Sequence, residues 1–531
     1  AVAAYDQALQ RDPRNAQALN NRGNALKQLG RHTEAESDYR RAMAVSPRYA
    51  EPYRNLADLL RERQLFAEAL NHAQQALRLN PDYADAQLVL AAVYRDQKRF
   101  KEAQDVLRHV LGRFPRLPEA HLAMGQLLQG MGAHAEALPC YRRAIRLNPD
   151  MPASYNHLAI ALREEGQLDE AITILQQSVT RHPRVPGTLR NLGNLLKEAC
   201  RIDEAKAALY QAVSLAPQDA QLRMELAFTL ILNGELAAGA REYEWRHQAI
   251  DRLERNFPKP AWDGSDPRGK TILVYCEQGQ GANIHYSRYL PLLAAHGARI
   301  LLETYPSLKS LFATLPGPQH LFVRGQEKPG EYDLQASLLS MPHLFGSEVE
   351  TVPVNLPLFA MDAEKVRHWR QRLHREGDRR LKVGIAWQGN ANFGGDRHRS
   401  IPLRHFRPLL EVAGVRFISL QHGFGREQLV DLPEELMPED WGGEVGDFVD
   451  TAALMESLDL VISSDTAVPH LAGSQGRPTW LVLPFCPDWR FMLGREDSPW
   501  YPGMRLFRQS APGDWPEVMA RVGEALRQRV E

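Results

Sequence analysis

Residues 81–115 read PDYADAQLVLAAVYRDQKRFKEAQDVLRHVLGRFP, and this stretch decides the fold of the N-terminal half. It begins at Pro81 and ends at Pro115, 34 residues on, and the same interval separates Pro13, Pro47, Pro81, Pro115, Pro149, Pro183 and Pro217. Ten residues after these prolines stand Gly23, Ala57, Ala91, Gly125, Ala159, Gly193 and Ala227. Twenty-two after stand Ala35, Ala69, Ala103, Ala137, Ala171, Ala205 and Gly239. Only the smallest side chains occupy these registers, which predicts close contact between two antiparallel helices. Five residues before the prolines the theme returns in Ala8, Ala42, Ala76, Ala144 and Ala212, with Val110 and Ser178 as exceptions. Each proline ends a helix, because it lacks the N–H donor and its ring clashes with the preceding turn. A fixed period of this length predicts helix pairs that stack into a superhelix around a continuous core.

The period and its small-residue positions resemble the tetratricopeptide repeat. The resemblance covers residues 1 to about 247: six full repeats over 14–217 and a seventh ending near Trp245. Residues 1–13 match only the second helix of an earlier repeat, so the chain is expected to be a piece of a longer array. The concave face of such a superhelix usually binds an extended polypeptide. Asn21, Asn55 and Asn191 share one register, and Asn24 and Asn194 share another with Asp58 and Gln126. Side-chain amides can hold a peptide backbone whatever its sequence. These five asparagines are the acceptor-binding candidates; because Val89 and Ala123 interrupt the ladder, ordinary solvated positions are the alternative.

The 531 residues carry 64 Lys plus Arg and 65 Asp plus Glu, a net charge of −1, with 44% apolar and 24% charged residues. Residues 1–250 hold 32 basic and 29 acidic side chains, and the remainder 32 and 36, so neither part has the basic excess of a nucleic-acid binder. No apolar run approaches the ~20 residues that span a bilayer, and residues 1–20 lack a signal pattern. Cys140, Cys200, Cys276 and Cys486 lie far apart, without CxxC or ligand spacing. They read as reduced, mostly buried thiols of a cytoplasmic protein.

From about residue 271 the period changes to strand–loop–helix. Strand candidates are 271–277, 299–305, 320–324 and 334–339, then 381–387, 415–420, 460–463, 479–483 and 504–507. An Arg-rich segment, 363–380, reads as a solvated helix and linker, and Trp515–Val530 as a closing helix. Alternating βαβ units predict two doubly wound parallel lobes, with ligands at the carboxyl ends of strands.

Three loops can carry chemistry. In Leu458-Asp-Leu-Val-Ile-Ser-Ser464-Asp465-Thr466-Ala467-Val-Pro-His470-Leu-Ala-Gly473 a buried strand runs into a helix start. Asp465 or Thr466 can cap it, its free N–H groups form an anion site, and His470 lies on the face of Thr466. An ordinary capped helix is the alternative. In Val383-Gly-Ile-Ala-Trp387-Gln388-Gly389-Asn390 and Asp396-Arg397-His398-Arg399-Ser400-Ile-Pro402 an arginine can neutralise a pyrophosphate, or the cluster is merely solvated. Glu277-Gln-Gly279-Gln-Gly281-Ala282-Asn283-Ile-His285 ends the first strand of the other lobe and is neither a P-loop nor GxGxxG.

As a set, Glu242-Tyr-Glu-Trp-Arg246, Trp262-Asp-Gly264, Glu277-Gln-Gly279, Arg288-Tyr-Leu-Pro291, Arg399-Ser-Ile-Pro402, Asp447-Phe, Asp450-Thr-Ala-Ala453, Asp465-Thr-Ala467, His470-Leu-Ala-Gly473 and Asp488-Trp-Arg490 through Pro502 resemble bacterial proteins in which these repeats precede a heptosyltransferase-like glycosyltransferase domain. Repeat superhelices also precede the catalytic domains of O-linked N-acetylglucosamine transferase and of flagellin glycosyltransferases, whose architecture is similar. The resemblance implies an α-solenoid over 1–247 followed by an α/β GT-B fold with two doubly wound lobes, 248–362 on the acceptor side and 363–531 on the nucleotide-sugar side. It also implies inverting sugar transfer from a nucleotide-diphosphate sugar, without cofactor or bound metal. Ser464, Asp465, Thr466, Ala467, His470, Arg399 and Ser400 would hold the diphosphate, with Gln388, Asn390, Gln421, Asp450 and Thr451 towards the nucleoside. The expected acceptor is a polypeptide recruited by the repeats; a glycan or lipopolysaccharide acceptor and a non-catalytic scaffold are the alternatives, and a homo-oligomer is left open. One position departs from the family's G-x-G-D: Gly279-Gln-Gly281 is followed by Ala282, where the family carries its general-base Asp. Either the residue is an engineered change or the protein works differently, with His285 and Glu277 as nearby alternatives for the base.

Overall fold

A computed structural model describes residues 1–250, 255, 257–441 and 443–531. The chain forms two compact units, Ala1–Leu195 and Leu196–Glu531. The first consists of antiparallel helix pairs, among them Ala16–Gln28 with His32–Val45, Ala84–Asp96 with Phe100–Arg113, and Pro118–Gly130 with His134–Leu147. The proline register falls one residue beyond the helix caps Asp12, Ser46, Asn80, Phe114 and Asn148. The small-residue register is enforced by contact: a β-carbon on Gly23 would lie 2.6 Å from Tyr39 Cε1, and one on Gly125 2.5 Å from Tyr141 Cε1. Alanines 35, 69, 103, 137 and 171 are fully buried.

A further register links the two helices of each repeat. Gly30, Gln64, Lys98, Gly132, Gly166, Cys200 and Gly234 recur every 34 residues, and all have positive φ, from 56° to 87°. This left-handed step closes each interhelical turn, and it favours glycine, which has no β-carbon to clash.

The second unit starts with the last repeat helices, including Ile202–Leu215, Ala220–Leu232 and Leu236–Tyr243, and continues into two parallel sheets. The strands are β1 (Thr271–Tyr275), β2 (Arg299–Thr304), β3 (Pro318–Val323), β4 (Leu334–Ser337), β5 (Leu381–Ala386), β6 (Val415–Ser419), β7 (Glu439–Asp440), β8 (Leu460–Ser464), β9 (Thr479–Leu483) and β10 (Met504–Arg508). Their orders are β3-β2-β1-β4 and β10-β9-β8-β5-β6-β7, so the α-solenoid followed by a doubly wound α/β region is the architecture. All neighbouring strands run parallel, and the order in which the chain adds them reverses between β1 and β4 in one sheet and between β5 and β8 in the other. Crevices at such switch points, beyond the carboxyl ends of the strands, are where α/β sheets bind ligands.

One hydrophobic core joins Met224, Ala227, Ile231, Leu236 and Tyr243 of the last repeat helices to Trp262, Ile272, Val274 and Ile284. The segment 363–380 is more structured than its charge suggests: Ala363–Leu373 is a helix that buries Trp369 and Leu373 beneath its arginines. Of the cysteines only Cys276 is buried, and the other three are half-exposed. Among the described residues no helix is long and apolar enough to cross a membrane.

Candidate functional site

The second sheet's switch point is built from two loops. β8 ends on Ser464, Asp465 follows, and Thr466 rather than Asp465 caps the helix Ala467–Ser474, its hydroxyl accepting from Val468 N at 3.3 Å. Asp465 is only 7% exposed. Burial first, then the neighbouring Asp488 carboxylate, pushes its carboxyl up to about 7, against the pull of Arg399 and Arg490. Arg490 lies over the Trp489 ring at 4.1 Å and donates to Asp488 at 2.9 Å.

After β5, the loop is fixed from within. Gln421 Oε1 accepts from Trp387 N at 2.9 Å and Gln388 N at 3.0 Å, while its Nε2 donates to the carbonyls of Gln388 and Phe424. That side chain braces the backbone, so the expectation that it faces a nucleoside is corrected. Ser400 donates to Asp396 at 2.8 Å and accepts from Gly389 N at 3.0 Å; it too holds the loop. Gln388 accepts from Gln428, and the exposed Asn390 folds back on Asn392 N. Arg399 is half-buried over the Phe393 ring, with one weak bond to Asp396 at 3.3 Å. A β-carbon on Gly389 would lie 2.6 Å from Asp396 Oδ1 and 2.7 Å from Arg399 Nη2, so the loop backbone passes close beneath this side-chain pair. Asp450 accepts from Lys365 at 2.7 Å and Thr451 donates to the Asp447 carbonyl, both at the start of the helix Phe448–Met455.

The first sheet contributes the helix Gln280–Tyr286, whose start abuts that of Ala467–Ser474. A β-carbon on Gly281 would stand 3.1 Å from His470 Cδ2 and 3.3 Å from the Ala467 Cα. Ala282, in this first turn, is half-buried and adjoins the crossing. His285 is fully buried, its Nδ1 2.9 Å from the Tyr501 hydroxyl and its ring 4.4 Å from that of Trp500. Aromatic packing draws it inward, so it is corrected from a base facing an acceptor to an interior group. His470 Nδ1 lies 3.0 Å from the same hydroxyl. Burial holds both imidazoles well below the usual histidine range, with Arg288 adding at His285 and Arg490 at His470.

Glu277 sits at the switch point between β1 and β4. It accepts from Arg246 at 2.7 Å and Ser337 at 2.6 Å, and Arg246 also donates to Glu244 and Ser340. Burial would lower the Arg246 pKa, but the Glu244 and Glu277 carboxylates outweigh it and hold the guanidinium above its ordinary value. Held by Arg246 and Ser337, Glu277 is a brace between the strand ends and the last repeat helices. Sequence reasoning missed Arg246, Tyr501, Arg288 and Arg490 as parts of the site; all lie inside the family-like segments, which was the available signal. Among the described residues, no group of three or more His, Cys, Asp or Glu side chains is arranged to hold a metal ion.

In the first unit the asparagine candidates divide. Asn55 is buried and donates to Asn20 at 2.7 Å, and Asn24 accepts from the Tyr39 hydroxyl at 2.8 Å; both are engaged between helices, which corrects them as peptide clamps. Asn21 accepts weakly from Asn20, while Asn191 and Asn194 are half-buried on the helix Pro186–Glu198. A charged network that sequence reasoning overlooked runs beside them. Lys27 bonds Asp58, Arg61 bonds Asp58 and Asp96, and Arg95 bonds Gln126, which reaches His157 at 2.8 Å. The fourteenth position after each proline was its signal, with Lys27, Arg61, Arg95 and Arg163 in register. Where Val89, Ala92 and Ala123 break the polar rows, a cavity of about 180 Å³ opens, bordered by Asp58, Arg95 and Gln126.

Family models described as tetratricopeptide repeat match residues 14–82, 60–127, 122–186 and 189–219. Protein FlbA of Caulobacter vibrioides is 29% identical over 337 residues, 59% of this chain and 56% of that protein, so the chain spans about half the length of this relative. Among solved structures, a tetratricopeptide repeat protein from Parabacteroides merdae is 18% identical, with 43% of this chain and 91% of that one covered at a TM-score of 0.37. A thermophilic repeat protein of Thermus thermophilus is 24% identical, with 41% and 99% covered and a TM-score of 0.28. Residues 14–219 are tetratricopeptide repeats.

Proposed function

We propose that the chain is an inverting glycosyltransferase of GT-B type that takes sugar from a nucleotide-diphosphate donor and delivers it to a polypeptide held by the repeats. The observation that carries this reading is the crossing of two helix starts at the switch point of the second sheet, with Arg399, Arg490 and His470 gathered around it. The free N–H groups of the 467–474 helix and the two guanidinium groups suit a diphosphate. The same charges would stabilise the departing nucleotide as the acceptor oxygen attacks the anomeric carbon. His470, neutral and fixed by Tyr501, turns its Cδ2 edge, beside Nε2, towards Gly281.

Ala282 favours a second reading, a repeat scaffold that binds donor without turnover, because no carboxylate stands where the acceptor hydroxyl would lose its proton. Thermal unfolding against a panel of nucleotide diphosphates and nucleotide sugars tests donor binding. A ligand at 100 times its Kd stabilises by about 2.7 kcal/mol; a panel without any shift would remove both readings. Transfer to a peptide acceptor then separates enzyme from scaffold.

A further inference from the structure

Cys200 occupies the left-handed turn register at φ 56°, where four of the seven repeats have glycine. The other exceptions, Gln64 and Lys98, are exposed, whereas Cys200 is half-buried against another segment. Its Sγ lies 3.5 Å from the carbonyl oxygen of Phe485, in the peptide group that leads into Cys486. A side chain other than glycine is strained at this φ. Nothing in the repeat packing calls for a thiol there, because Gly30, Gly132, Gly166 and Gly234 close the same turn without one. Cys486 is half-exposed, so a small reagent reaches the pair.

The geometry points to a dithiol site: we infer that Cys200 and Cys486 are joined reversibly by low-molecular-weight disulfides of the glutathione class. The Cys200 thiolate attacks one sulfur of the small disulfide, forms a mixed disulfide and expels one thiolate. The Cys486 thiol passes its proton to that thiolate and attacks the Cys200 sulfur, expelling the second, which takes up the Cys200 proton. Two protein thiols are oxidised to one disulfide, and one small disulfide is reduced to two thiols. The order of attack follows from the surroundings. The Cys486 S–H stabilises a Cys200 thiolate by hydrogen bonding, burial opposes it, and the Arg508 charge assists, which together favour ionisation at Cys200. The bond would tie the interhelical turn to the loop that carries Asp488, Trp489 and Arg490 beside Asp465.

The full chain is incubated with glutathione disulfide, blocked with N-ethylmaleimide under denaturing conditions and mapped by peptide mass. The expected result is a Cys200–Cys486 cross-link, with maleimide on Cys140 and Cys276. Cys486→Ser is expected to trap glutathione on Cys200. Cys200→Gly is expected to lose the cross-link and to melt no lower than wild type, because glycine serves this register elsewhere and relieves the strain at this φ, so misfolding does not confound the test. Maleimide on all four cysteines overturns the inference, and so do separate glutathione adducts on both partners, or a cross-link that survives Cys200→Gly.

Discussion

His285 and His470, one on a helix beyond each sheet, share the hydroxyl of Tyr501, whose oxygen lies 2.9 Å from one Nδ1 and 3.0 Å from the other. The hydroxyl has one proton, so it donates to one ring and accepts an N–H from the other, which fixes opposite tautomers in the two imidazoles. Tyr501→Phe strips a partner from two buried ring nitrogens at once. It is expected to cost roughly 2–6 kcal/mol, at about 1–3 kcal/mol for each group left unsatisfied. Urea unfolding measures this, and a midpoint equal to wild type would show that the bridge holds nothing together.

The same pair makes stability pH-dependent. The folded chain refuses two protons that the unfolded chain accepts below the ordinary histidine pKa of 6.5, so these groups stabilise above 6.5 and lose that contribution as pH falls. Asp465 acts with the opposite sign: raised from 3.8 to about 7, it keeps a proton in the fold that the unfolded chain gives up. The two imidazoles outweigh the one carboxyl, so stability is expected to fall as pH drops from about 6 to 5, in the same direction as the burial-lowered His157 and His247. Asp465→Asn removes the opposing group and is expected to steepen that fall, by up to about 1.4 kcal/mol per pH unit. Denaturation curves at stepped pH read both slopes.

Arg399→Ala is expected to weaken nucleotide-diphosphate binding by roughly 1.5–3 kcal/mol, about ten- to a hundredfold, since a charged hydrogen-bond donor is lost. Calorimetric titration with the nucleotide identified by thermal shift gives the affinity. The corresponding nucleoside, which lacks phosphate, is expected to bind wild type and variant alike. An equal loss for both would move the phosphate site elsewhere.

Ala282→Asp puts a carboxylate in the first turn of the helix at the lobe crossing. With donor and acceptor peptide supplied, turnover is expected to rise by about 10²–10⁴, the usual contribution of a general base. An unchanged rate, with donor affinity intact, would mean that the proton leaves by another route.

Gly125→Ala drives a β-carbon to 2.5 Å from the Tyr141 ring, a clash expected to cost roughly 1–3 kcal/mol. Gly112→Ala, with open space around it, is the control, expected to gain about 0.5–1 kcal/mol from helix propensity. Equal melting temperatures for the two variants would contradict the packing argument.

The fold was largely legible because its signals are periodic. Proline and small residues every 34 positions give the helix pairs, and strand candidates such as 479–483 match the observed strand. The two-residue β7 carries no periodicity and was missed. The candidate-site loops were legible as turns between strand ends and helix starts, but partners distant in sequence were not. Gln421 reads as a free amide until the backbone it braces is seen, 33 residues away at Gln388. His285 reads as a reactive side chain until Trp500 and Tyr501 close over it. Cys200 and Cys486 look unrelated for the same reason: spacing along the chain says little about which loops meet.

The shared interior of the last helices and the first sheet governs how the protein can be dissected. Met224, Ile231, Leu236 and Tyr243 each bury a large side chain in the core that also holds Ile272 and Val274 of β1, worth roughly 1.5–3 kcal/mol apiece. Their sum rivals the about 5–15 kcal/mol by which a domain stays folded. A fragment begun at residue 248 would therefore lack one wall of its own interior, and its failure to transfer sugar would not test the proposed recruitment by the repeats; a cut near residue 196 spares that wall.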